Sequence, residues 1–106
     1  MSAINIKRGD TSRLLTDTLT INGAPINLTG ASVVLVFKDP DAGTTVRRNA
    51  SIVSPSAGTV QYQLVSADVQ NALTWLLEWE VTLSGGGVIT IPEDGYFTMK
   101  VWADLG

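Results

Sequence analysis

The chain has 106 residues, of which 44% are hydrophobic and 16% charged, enough apolar material for one core and too little charge for a disordered chain. It holds no cysteine and no histidine, which excludes disulfides, thiolate or imidazole zinc sites, cysteine nucleophiles and histidine-based acid–base catalysis. The net charge of −3 has the wrong sign for a nucleic-acid surface, and no apolar run approaches the roughly 20 residues of a membrane span.

Taken in chain order, short β-type runs alternate with Gly, Pro, Asn and Asp punctuation. Leu14–Ile21 sets Leu15, Leu19 and Ile21 on one face and Thr16, Thr18 and Thr20 on the other, with Asp17 the single misfit on the apolar side. After Asn22-Gly23 and Gly30, Ser32–Lys38 is apolar on both faces (Val33, Leu35, Phe37 against Val34, Val36), which predicts a central strand. The Asp39–Gly43 turn leads to Thr44–Ile52, a polar run whose Arg47-Arg48 would blunt an exposed edge. Pro55–Gly58 is a further turn, and Thr59–Leu64 alternates again.

Ser66–Asn71 breaks this rhythm and predicts one helical turn capped by Ser66, a crossover between sheets. The clearest strand is Leu73–Ser84, where Leu73, Trp75, Leu77, Trp79, Val81 and Leu83 share one face. Gly85–Gly87 predicts a hairpin into Val88–Ile91. Beyond Glu93-Asp94-Gly95, Tyr96–Trp102 alternates Phe97, Met99 and Val101 with Thr98, Lys100 and Trp102. The expected fold is all-β: a single immunoglobulin-like antiparallel sandwich over residues 1–106, of about seven to eight strands. Short arms are expected at Met1–Lys7 and Trp102–Gly106.

No residue set reads as catalytic, cofactor-binding or metal-ligating. Glu78 and Glu80 project from one strand face about 7 Å apart, the spacing of a carboxylate pair, but read as a solvated outer face. Asp39-Pro40-Asp41 and Glu93-Asp94 read as turns. Arg8-Gly9-Asp10 spells a cell-adhesion tripeptide, Asn27-Leu28-Thr29 and Asn49-Ala50-Ser51 spell glycosylation sequons, and all three are too short to be specific. The interface candidates are Tyr96 and Trp102, aromatic residues alternating with core positions, and the cation pairs Lys7-Arg8 and Arg47-Arg48, which could dock an acidic neighbour. Outward-facing Val34 and Leu76 point the same way.

Ile6-Lys7-Arg8-Gly9-Asp10-Thr11, Ile26–Val33 and the stretch Ile91-Pro92-Glu93-Asp94-Gly95-Tyr96-Phe97 after a Trp-rich strand together resemble the N-terminal domain of the phage baseplate upper protein family. The likeness implies an immunoglobulin-like sandwich and a non-enzymatic virion structural protein without cofactors. Such a protein docks other virion proteins of the baseplate or tail, is assembled in homo-oligomeric multiples, and occupies the host cytoplasm before assembly. Family members continue into a linker and a region that holds the receptor-binding protein, whereas this sequence ends at Gly106, so the expectation is a docking module alone. Two other readings stand beside it. One is a capsid decoration protein that binds the major capsid protein. The other is a carbohydrate-binding module in which Tyr96 and Trp102 stack on sugar. A hydrolase using Glu78 and Glu80 is the weakest reading.

Overall fold

Alternation of apolar and polar side chains demands strands, and the computed structural model, which describes residues 3–105, places them as β1 (Ile4–Lys7), β2 (Leu14–Thr18), β3 (Thr20–Ile21), β4 (Ala24–Pro25), β5 (Ser32–Lys38), β6 (Thr45–Asn49), β7 (Ser51–Ser54), β8 (Thr59–Gln63), β9 (Leu73–Thr82), β10 (Val88–Ile91) and β11 (Phe97–Trp102). One 3₁₀ turn, Ser66–Asp68, joins β8 to β9. The larger sheet runs β1-β11-β9-β5-β6, with β10 also on β9, and faces a smaller sheet β2-β8-β7; β3 and β4 form a separate ribbon. The fold is the expected all-β sandwich.

The ten-residue β9 organises the larger sheet. Along one side it pairs β5, from Ser32 opposite Thr82 to Lys38 opposite Leu76. Its other side is shared: β11 takes Leu73–Leu77 and β10 takes Trp79–Thr82. The Gly85–Gly87 hairpin closes as expected, with Leu83 N–H donating to Gly87 C=O at 2.8 Å. Trp75, Leu77, Trp79 and Val81 of β9 meet Leu15, Val60 and Tyr62 of the smaller sheet, and Leu64 just beyond it, in one buried core. The rings of Trp75 and Tyr62 each meet Phe37 edge-on, at 5.6 and 5.8 Å between centroids.

Four local expectations are corrected. First, Leu14–Ile21 is two strands, because Leu19 leaves the smaller sheet: its N–H donates to Gly58 C=O and its own C=O accepts from Ile26. Second, Thr44–Ile52 is also two strands, in different sheets. Ala50 N–H still reaches Val33 C=O, but from Ser51 the chain pairs β8 instead, as strands that turn a sandwich corner do. Third, Ser66 is not the cap of the turn; Asp68 reaches back with Oδ2 to accept from Val65 N–H at 3.0 Å. Fourth, the N-terminal segment is no loose arm from Ile4 onward. It is β1, parallel to β11, with Ile6 in the core at 4% exposure. Met1, Ser2 and Gly106 lie outside the described residues. The two divided runs, together with β1 and β4, take the seven runs read along the sequence to eleven strands.

Two glycines show why the chain follows this path. Gly58 has φ +70°, and a Cβ there would lie 2.8 Å from Leu19 C=O and 2.9 Å from Ile26 C=O, so only glycine lets the β7–β8 turn tuck beneath that crossing. Gly9, at φ +87°, lies between Arg8 and Asp10 in a turn pinned by three backbone bonds. Arg8 N–H donates to Trp102 C=O, Gly9 N–H to Val69 C=O and Asp10 N–H to Lys7 C=O. The Arg8-Gly9-Asp10 tripeptide is therefore a fixed structural corner rather than a mobile recognition loop.

Candidate interaction surface

The six candidate residues separate into two exposed groups and one internal one. Lys7, Arg8 and Trp102 come together. Parallel pairing sets Lys7 beside Trp102, and Arg8 N–H closes on Trp102 C=O at 2.8 Å. Trp102 keeps 45% of its surface exposed, yet it is held: its Nε1–H donates to Asn5 Oδ1 at 3.0 Å, and Lys100 Nζ lies 3.7 Å from the ring centroid. Arg8 bonds Asp104 Oδ1 through Nη2 at 2.9 Å and Nε at 3.1 Å. A shallow groove beside the ring is lined by Asn5, Ile6, Lys7, Asp10, Arg13 and Trp102. Lys100 was accessible to sequence reasoning, since it shares the even-numbered face of β11. Asn5 and Arg13 were not, because no local pattern reveals a parallel pairing between the two ends of the chain.

Tyr96 and Arg47 form the second group, on the outer face of the larger sheet. They line a groove with Val36, Lys38, Leu76 and Glu78. Tyr96 is 58% exposed, and Arg47 is bonded across the sheet to Glu80. Val34 and Leu76 are half-buried on this face. Tyr96 and Trp102 are six residues apart along one strand direction, roughly 20 Å at the usual rise. That distance is too large for both rings to stack on one sugar, so they form no common platform.

Arg48 belongs to the third group. Its register partner is Leu35, an inward-facing residue, so the side chain turns in beneath the sheet. There its Nε donates to Asp68 Oδ1 at 3.1 Å. Asp68 is 3% exposed, and its Oδ2 also accepts from the Tyr62 hydroxyl at 2.6 Å. The Asp68 carbonyl accepts from Trp75 Nε1–H at 2.9 Å. Burial raises the Tyr62 hydroxyl pKa well above its usual value, the hydrogen bond to Asp68 and that carboxylate's charge add to the rise, and Arg48 opposes them. This network stitches the crossover to both sheets. It corrects the pairing of Arg48 with Arg47 as a docking patch: neighbouring residues on a strand face opposite ways.

The remaining motifs resolve into local structure. Asp39 Oδ1 accepts from Asp41 and Ala42 N–H groups, and Asn27 Oδ1 accepts from Thr29, both side-chain-closed turns. Among the described residues no group of three or more acidic side chains is placed to hold a metal ion, and no helix is long and apolar enough to cross a membrane.

A family model described as BppU N-terminal domain matches residues 1–74, the span from β1 to the start of β9. Among solved structures, the N-terminal domain of phage TP901-1 ORF48 is similar at TM-score 0.69 and 14% identity, over 97% of this chain and 85% of that one. CopC from Methylosinus trichosporium OB3b is similar at TM-score 0.58 and 11% identity, over 100% of this chain and 89% of that one. At these identities both likenesses bear on the fold alone. No curated protein sequence matches the chain.

Proposed function

Because this chain belongs to the phage baseplate upper protein family, by its N-terminal domain, we propose that it works as a docking and assembly subunit of the tail baseplate or of a fibre attached there. Membership carries a structural role in the baseplate, a place in the virion and contact with other virion proteins. The family is structural rather than enzymatic. The finer reading is that the chain seats on its neighbour through the corner around Trp102, in symmetric multiples.

One observation supports that corner above other surfaces: an exposed indole whose polar end is already bonded, to Asn5 Oδ1. Aromatic anchors dominate protein interfaces, and one fixed in place loses less rotamer freedom on docking. The test is Trp102→Ala in the phage, with copy number measured by quantitative mass spectrometry on separately purified tails and heads. The variant protein is expected to melt close to wild type and to be missing from tails. Normal incorporation would overturn the Trp102 corner as the docking site. Wild-type abundance in heads at the level of the major capsid protein would overturn the baseplate reading in favour of capsid decoration.

A further inference from the structure

Charge around Trp102 is unlike charge elsewhere on the molecule. Lys7, Arg8, Arg13 and Lys100 are opposed there by only Asp10 and Asp104, whereas the other three cations share the rest of the chain with eight carboxylates. A corner of net positive charge is thus set into an acidic protein. Three ion pairs join side chains among the described residues, Arg8 to Asp104, Arg47 to Glu80 and Arg48 to Asp68. Four cations there have no carboxylate within pairing distance: Lys7, Arg13, Lys38 and Lys100. Three of these four surround Trp102. Lys7 and Arg13 line its groove, and Lys100 lies over its ring.

We propose that the groove between Trp102 and Arg13 receives a short acidic segment of the docking partner, with carboxylates paired to Lys7, Arg13 and Lys100 and an apolar side chain seated against the indole. This inference rests on the docking role assigned above and adds the chemistry of the partner. Unpaired cations beside an aromatic anchor are what an acidic peptide needs: steering at distance and pairing at contact. The excess of two positive charges is too small to gather a nucleic-acid backbone against the repulsion of the remaining surface.

The indole N–H resonances provide a direct test, because Trp75 and Trp79 are buried and only Trp102 lines the groove. The ¹⁵N-labelled chain is titrated with blocked hexaglutamate, with hexalysine and with a thymidine hexanucleotide. Hexaglutamate is expected to shift the Trp102 indole and the Asn5 side-chain amide while leaving the buried indoles unmoved. Its apparent affinity should fall several-fold between 50 and 300 mM salt, as a roughly 2.5-fold shortening of the screening length implies. A Lys7→Glu/Arg13→Glu variant should lose the shift. No shift at Trp102, an equal shift with hexalysine, or tighter binding of the oligonucleotide would each overturn the acidic-segment inference. In particles, exclusion of Trp102→Ala with normal incorporation of Lys7→Glu/Arg13→Glu would overturn the partner chemistry and leave the docking corner standing. Normal incorporation of both would overturn the two together.

Discussion

Removing the Asp68 carboxylate tests whether the crossover is held by charge or by hydrogen bonding. In Asp68→Ala three donors lose their acceptor: the Tyr62 hydroxyl, Val65 N–H and Arg48 Nε. An orphaned buried donor costs about 1–3 kcal/mol. Breaking a fully buried ion pair costs about 3–5 kcal/mol, but the Arg48 side chain is 32% exposed and turns to water, which lowers its share. The expected loss is about 3–4 kcal/mol, a large part of the roughly 5–15 kcal/mol that holds a domain together. Asp68→Asn separates the contributions. Its amide oxygen still accepts from Tyr62 and Val65, while its NH₂ faces the Arg48 donor, so both the charge attraction and the hydrogen bond of that one pair are lost, about 1–2 kcal/mol. The assay is urea denaturation followed by tryptophan fluorescence, with constant m-values as the check on two-state behaviour. Arg48→Met in each background completes a double-mutant cycle. If Asn proves as damaging as Ala, the bonds to Tyr62 and Val65 contribute nothing and the pair alone holds the crossover; if Arg48 and Asp68 couple by less than about 0.5 kcal/mol, the pair does not hold it.

Two further outcomes follow from the same packing. Gly58→Ala forces a Cβ to within 3 Å of two backbone carbonyl oxygens at a positive φ; the left-handed conformation costs about 1–2 kcal/mol and the overpacking about 1–3 kcal/mol, and a variant melting within a degree of wild type would refute the close crossing. Alkaline pH should destabilise the domain through Tyr62, whose folded pKa is raised. Its contribution is intact below the unfolded value of about 10, and above it the unfolded chain releases a proton that the folded chain keeps, so stability falls by about 1.4 kcal/mol per pH unit. Tyr62→Phe, compared over pH 9–11 by chemical denaturation, should be less stable at neutral pH and show a shallower alkaline decline; an unchanged slope would remove Tyr62 from the account.

What the sequence made legible was governed by local repetition. Strict alternation identified β9, β8 and β11 and separated the inward Trp75 and Trp79 from the outward Trp102, while a short run apolar on both faces identified β5. It also marked Asp17 as anomalous, and the structure explains why: Asp17 Oδ2 accepts from Trp79 Nε1–H at 3.0 Å, a polar bond between the sheets. Illegible features were those set by distant partners. Ile4–Lys7 is only four residues long, and its strand character depends on β11 at the far end of the chain. Arg47 and Arg48 are adjacent and chemically alike, so only the register of β6 on β5 decides that one points to solvent and the other to Asp68. The gathering of Lys7, Arg13 and Lys100 around Trp102 likewise depends on tertiary pairing and leaves no trace in spacing.

The three tryptophans show how one chemical group takes on different work through its partner. Every indole N–H is bonded, so none is left to water: Trp75 to the Asp68 carbonyl, Trp79 to Asp17, Trp102 to Asn5. For Trp75 and Trp79 the acceptor comes from the crossover turn and the smaller sheet, and the bond commits each ring to joining parts of the core. For Trp102 the acceptor is on the neighbouring strand of the same sheet, so the bond fixes the ring without covering it. An exposed aromatic that is free to turn loses about 0.5–1.5 kcal/mol on immobilisation at an interface, and the Asn5 bond meets part of that cost before any partner arrives. Asn5→Ala should therefore weaken docking through a mobile Trp102 while leaving the core intact, a milder defect than Trp102→Ala. Particle copy numbers and melting temperatures of the two variants, measured side by side, decide it: equal incorporation of Asn5→Ala and wild type would show that the ring needs no such positioning.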